Sequence, residues 1–304
     1  MIEIIKNTNI DFMGKKNIAL AVSLLIVLLG IFAIIQISLG NANMGVDFAG
    51  GTAVQIKFTK NVPLHDVRLV LEGAGLKDFD LQDLVTENKV LIRVKKQDEK
   101  VGSNSEKITA ILVEKFADMK PVVDSTSDIG PKVGAKLRND ALWAVFMSVI
   151  GIIGYIAWRF QFRFGVGATI AIIHDVFFVL GVFYLMGKEI NLIFISALLT
   201  IAGYSLTDTV VIFDRIRENV KRYVKDSIDT VINRSINEVL SRTIITALTT
   251  FLSALALYLF GGEVIHDFAL AMLIGIVVGT YSSIFIASPL SMMLRKSKGA
   301  VIKK

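Results

Sequence analysis

Six apolar runs of bilayer-crossing length decide what this chain can fold into: residues 18–39, 141–158, 164–186, 190–213, 243–260 and 268–290. A hydrocarbon core about 30 Å thick is crossed by a helix of about 20 residues. Inside it, only a helix or a closed barrel pairs every backbone group. Runs this long and this continuous predict an α-helical membrane protein with six transmembrane helices. Composition agrees, since 53% of the 304 residues are hydrophobic and the mean hydropathy is +0.62. The first run, preceded by the polar segment 1–17, exceeds the roughly 7–15 apolar residues of a cleavable signal peptide. It is expected to remain as a span.

Between the first two spans lies a polar domain, residues 40–138. Residues 52–58, 79–85 and 90–94 alternate as strands do, the last two joined by the turn-type sequence Glu87-Asn88-Lys89. Residues 64–71 and 105–116 carry helical spacing, and a short last strand starts at Val122-Val123. The order β-α-β-β-α-β is that of the ferredoxin-like α+β split motif. Gly50-Gly51 is expected to let the chain turn from the first span into the first strand. The domain holds 15 Lys/Arg against 14 Asp/Glu, so the net charge of +6 resides beside the spans.

Basic connectors stay cytoplasmic. Connector 159–163, loop 215–241 and tail 295–304 are basic, whereas 187–190 is balanced and 261–267 is acidic. Both termini are then expected inside and domain 40–138 outside, with a five-span domain over 139–294. Within 215–241, Ile216, Val220, Ile228, Val231, Ile232 and Ile236 recur at helical spacing between basic residues. That pattern reads as an amphipathic helix, or two, lying in the cytoplasmic interface or packing on a partner.

The residues with chemistry lie inside the spans. Asp208 sits in the fourth run, where an acid at mid-span costs roughly 2.5–3.5 kcal/mol and normally faces a bundle interior or a water-filled path. Arg242 opens the fifth run, and a reversal in the intervening loop could bring the two to similar depth. Such a carboxyl can load and release a proton as helices move. His174 and Asp175 lie mid-way along the third run, where relays are built; as sequence neighbours they are expected to face different sides of the helix. Ser196, Thr200, Gly203 and Thr207 form a face of small side chains that lets helices approach closely. Asp214, Arg215, Arg217 and Glu218 stand at the water boundary, where they are expected to fix the departure of the interfacial helix.

The absence of cysteine excludes disulfides and thiol chemistry. No nucleophile–base pair, metal-ligand spacing or phosphate loop occurs, so neither an enzyme nor a cofactor is expected, and nothing supports nucleic-acid binding.

Several stretches resemble one known family. They are GVDFAGGT at 45–52, IGPKVGAKL at 129–137, HDV at 174–176, GYSLTDTVVIFDRIREN at 203–219 and LSRTIITALTT at 240–250. Together they are similar to the SecF subunits of the SecD/SecF protein-export family, within the RND superfamily. The resemblance implies that Asp208 takes the place of the family's proton-pathway aspartate and Arg242 that of its partner arginine. Thr207 stands where asparagine is common. It further implies an RND-type half-bundle in the bacterial cytoplasmic (inner) membrane, paired with SecD and associated with the SecYEG channel. Membrane lipids, protons and a translocating polypeptide would be its other partners, with the proton motive force promoting translocation. The rival readings are a proton-coupled exporter of small molecules or lipids and a non-transporting scaffold of the channel.

Overall fold

The computed structural model describes residues 8–76, 79–84, 88–95, 103–159 and 162–293. The basic tail 295–304, Lys6, Val85, Glu87 and residues 160–161 of the connector lie outside the described residues, as do the side chains of Arg163 and Glu263. A 3-10 turn, Met13–Lys15, leads into α1, Lys16–Ser38. Next come α2, Val46–Ala49, β1, Gly51–Lys57, and α3, Leu64–Gly73. They are followed by β2, Phe79–Leu84, β3, Lys89–Lys95, α4, Ser103–Lys115, and β4, Val122–Ile129. The long helices are α5, Pro131–Arg159, α6, Phe162–Leu185, α7, Leu192–Arg222, α8, Ile228–Phe260, and α9, Glu263–Ser282. A π-helical turn, Ser283–Ala287, and α10, Ser288–Met293, complete the set. Among the described residues, six helices are long and apolar enough to cross a membrane, and each matches one of the six apolar runs to within two residues or encloses it.

The chain divides into two compact units. The sheet unit comprises Met44–Trp143 and Ile190–Leu192. Its strands lie in the order β2-β3-β1-β4 with every pair antiparallel. Val54 and Ile56 of the inner strand β1, and Phe58 just after it, enter a core with Val67, Leu71, Ile92, Ile108 and Leu112. This is the β-α-β-β-α-β order read from the sequence. The last strand differs, because it runs eight residues to Ile129 and pairs along all of β1. Its central residues Asp124-Ser125-Thr126-Ser127 are polar, as suits an edge strand, so hydropathy does not mark them. Gly50 and Gly51 have φ of 73° and 139°, values that a side chain resists.

The helical unit is built on Phe12, Met13, Phe164, Phe213, Ile216, Ile232, Ile236, Leu240, Ile284 and Ile286. Here the structure corrects the reading of 215–241. The amphipathic segment forms no separate interfacial helix: it continues α7 and α8 beyond their spans, with a break at residues 223–227. At 31 and 33 residues, these helices are about 47 and 50 Å long, well beyond the core thickness. Their apolar faces pack on each other. Ser227 caps α8, its hydroxyl accepting the Thr230 N–H at 3.2 Å. Buried Asn219 donates to Ser235 Oγ at 3.0 Å and Glu238 Oε2 at 2.7 Å.

The N-terminal strap closes the same end. Asn233 Oδ1 accepts the N–H groups of Phe12 and Met13, both at 2.9 Å. Asn237 Oδ1 accepts the Ile10 N–H at 3.0 Å while its amide donates to the Ile10 carbonyl at 2.9 Å. The Gly14 N–H, and after it the Asn233 amide, hold the Asp11 carboxyl below its ordinary value of 3.8.

Candidate proton-coupling site

Helix α7 carries Ser205, Asp208 and Thr209 inward within little more than one turn, and Asn219 further along. Ser205 is inward because α7 meets α9 along a seam of small residues. A Cβ on Gly275 would fall 2.4 Å from Ile201 Cγ1, and one on Gly279 would fall 3.2 Å from Ser205 Cβ. The GxxxG pair therefore is the contact that sets the α7–α9 spacing. Further along the seam, Thr209 and Ser283 hydroxyls lie 2.8 Å apart.

Asp175 is wholly buried, and its carboxylate joins three helices. Its Oδ2 accepts the Ser205 hydroxyl of α7 at 2.6 Å and the Ser282 hydroxyl of α9 at 2.7 Å. Its Oδ1 lies 3.0 Å from His174 Nδ1. The expectation that His174 and Asp175 face different sides is thus corrected. Adjacent helical positions differ by about 100°, yet both side chains bend into the same three-helix gap.

Asp208 contrasts with this. It is 4% exposed, and among the described residues its Oδ2 has no hydrogen-bond partner. Leaving such a group unmet costs about 1–3 kcal/mol, more when charged. Arg242 is the charged group whose field reaches Asp208. Among the described residues the two form no direct ion pair. Tyr204, one turn before Asp208, lies in the carboxylate's field, with the Thr250 and Thr280 hydroxyls near its own. Thr243 Oγ1, beside Arg242, has no hydrogen-bond partner among the described residues. A buried carboxyl with an unmet oxygen and a cation at range can take or lose a proton without dismantling a bond network.

The remaining predicted residues fall elsewhere. Asp214 lies 3.3 Å from Arg159 of α5 and 3.6 Å from Arg217, while Arg215 bridges Glu218 at 2.8 Å and Glu238 of α8 at 3.1 Å. These charges tie the extended hairpin together; α7 does not turn at them. Ser196, Thr200, Gly203 and Thr207 lie on the surface of the chain, and nothing stands within 4 Å of a Cβ placed on Gly203. Within the chain, the close-packed face of α7 is the opposite one, Ile201, Ser205 and Thr209. Ser205, Ser282 and Tyr204 were not legible as site residues. The available signal was the four-residue step from Ser205 to Thr209 alongside Asp208.

The family profile described as Protein export membrane protein SecD/SecF, C-terminal, matches residues 109–297. The SecD/SecF GG Motif matches residues 43–62. The chain is 57% identical over 306 residues to the protein translocase subunit SecF of Thermodesulfovibrio yellowstonii, covering 100% of both chains. The chain belongs to the SecD/SecF family. It is also 42% identical to the SecF subunit of Calditerrivibrio nitroreducens, over 97% of each. Among solved structures, family member SecDF of Thermus thermophilus, a translocon-associated membrane protein, superposes with a TM-score of 0.83 at 36% identity. That match covers 94% of this chain and 39% of the SecDF chain, so this chain spans well under half of it. A structure of SecDF in a super-membrane-facing form matches over the same share, with a TM-score of 0.68. Membership makes this a multi-pass membrane protein of the protein-export class.

Proposed function

We propose that this chain is the SecF-type subunit of a translocase accessory complex, and that Asp208 is where proton flow enters its working cycle. The observation that carries the reading is a carboxyl only 4% exposed inside the bundle whose Oδ2 has no partner among the described residues. Arg242 supplies a positive charge whose field reaches the carboxylate, and protonation releases α7 from its pull. Each proton crossing the membrane brings about 2.3 kcal/mol per 100 mV, enough to bias a two-state equilibrium. Asp175 and His174 hold the helices around this site.

The basic connectors support a setting in the bacterial inner membrane with both termini cytoplasmic and the sheet unit on the far side. The small-residue surface of α7, from Ser196 to Thr207, suits the second six-span subunit that completes the bundle, SecD by family. Such a complex works beside the SecYEG channel on the polypeptide in transit. That SecDF occurs in a super-membrane-facing form supports movement as the output.

The test is Asp208→Asn, assembled with SecD and SecYEG in vesicles carrying a proton gradient. Gradient-stimulated translocation is expected to vanish while the subunits still co-purify. Stimulation equal to wild type would overturn the reading.

A further inference from the structure

The Gly45–Gly51 stretch is matched as a motif, but the proton site does not use it. It sits at the head of the helix that bears Asp208. The Gly45 N–H donates to the Ile190 carbonyl at 2.9 Å, and Met44 and Ile190 form a parallel β-bridge. The Leu192 N–H donates to Asp47 Oδ2 at 3.1 Å, across 145 residues of sequence. Leu192 is the first residue of α7, and Ile190–Leu192 belong to the sheet unit together with the motif.

A helix begins with four N–H groups that lack intrahelical partners, and its N-terminus carries about half a positive charge. A carboxylate there answers both. The acceptor that Leu192 uses comes from a distant segment, so the cap also acts as a tie. The segment holding Asp47 is itself short and stiff. Val46–Ala49 is a single helical turn with Phe48 buried, and Gly50 leads straight into β1 at Gly51. A Cβ on Gly134 of α5 would lie 3.1 Å from Gly50 N and 3.3 Å from the Asp47 carbonyl, so the turn is seated against backbone. Three residues separate the cap from the central strand of the sheet.

We infer that Asp47 is a positioning residue that fastens the head of α7 to β1, so that displacement of the Asp208 helix is delivered to the sheet without a slack linker. From Leu192 to Asp208 is 16 residues of unbroken helix, about 24 Å of rigid rod. The inference rests on the reading of Asp208 given above for the source of the displacement, but not for the tie itself.

Two readouts on the full chain, assembled with SecD and SecYEG, separate them. The first is amide hydrogen exchange at residues 192–194 without a gradient. Asp47→Ala is expected to speed it about five- to tenfold, the loss of one cap, and Asp47→Asn, which keeps an acceptor, by less than about twofold. The second is gradient-stimulated translocation. Asp47→Ala is expected to lose most of it, and Asp47→Ala with Met44→Cys and Ile190→Cys is expected to regain it on oxidation and lose it again on reduction. The chain has no native cysteine to interfere. Unchanged exchange in Asp47→Ala would show that no tie exists. Faster exchange with undiminished stimulation, or no recovery on cross-linking, would show that the tie transmits nothing. If Asp47→Ala does not assemble, normal stimulation in Asp47→Asn supports the inference and its loss there overturns it. Should Asp208→Asn retain stimulation, the proton site fails while the exchange result still judges the tie.

Discussion

Asp175 and Asp208 are carboxylates buried in one helical bundle, at 0% and 4% exposure, and they are treated in opposite ways. Asp175 receives two hydroxyls and a histidine from its surroundings. Asp208 keeps an oxygen without a partner among the described residues and feels Arg242 only at a distance. Depth alone therefore does not distinguish the two. A saturated carboxylate acts as a fastener, because changing its charge breaks several bonds at once. An unsaturated one can change charge with little rearrangement.

That difference makes ordered predictions. Asp175→Ala strands the Ser205 hydroxyl and an imidazole, leaves Ser282 only its bond to the Gly279 carbonyl, and should cost about 3 kcal/mol in reversible detergent unfolding. Ser205→Ala removes one of the donors and should cost about 1 kcal/mol, whereas Thr207→Ala, on the surface two residues away, should change nothing beyond about 0.5 kcal/mol. Asp208→Asn should fall in that same smallest class, or stabilise, since it removes a buried charge without breaking a network. The comparison breaks if Asp208→Asn proves more destabilising than Asp175→Ala. It sharpens if Asp208→Asn abolishes gradient-stimulated translocation at unchanged stability.

The six spans were legible because length and hydropathy alone define them. Asp208 was legible because a charge stands out against hydrocarbon. Ser205 and Ser282 were not: a hydroxyl in an apolar run barely alters hydropathy, and their meeting at Asp175 depends on how three helices pack. Likewise, β4 hid behind a polar edge sequence, although Gly51–Lys57 supplied a partner along its length. The extension of α7 and α8 is not legible, because an amphipathic period looks the same whether a helix is separate or continuing, and residues 204–260 hold no Gly or Pro to mark the break at 223–227.

The strap has a consequence for biosynthesis. Phe12 docks on Asn233, which is made 221 residues later. At about 5–20 residues per second, the ribosome needs about 10–45 s to supply that anchor. For the whole interval the nascent amino terminus, with Phe12 and Met13 destined to be only 7% and 3% exposed, must wait with its burial site unwritten.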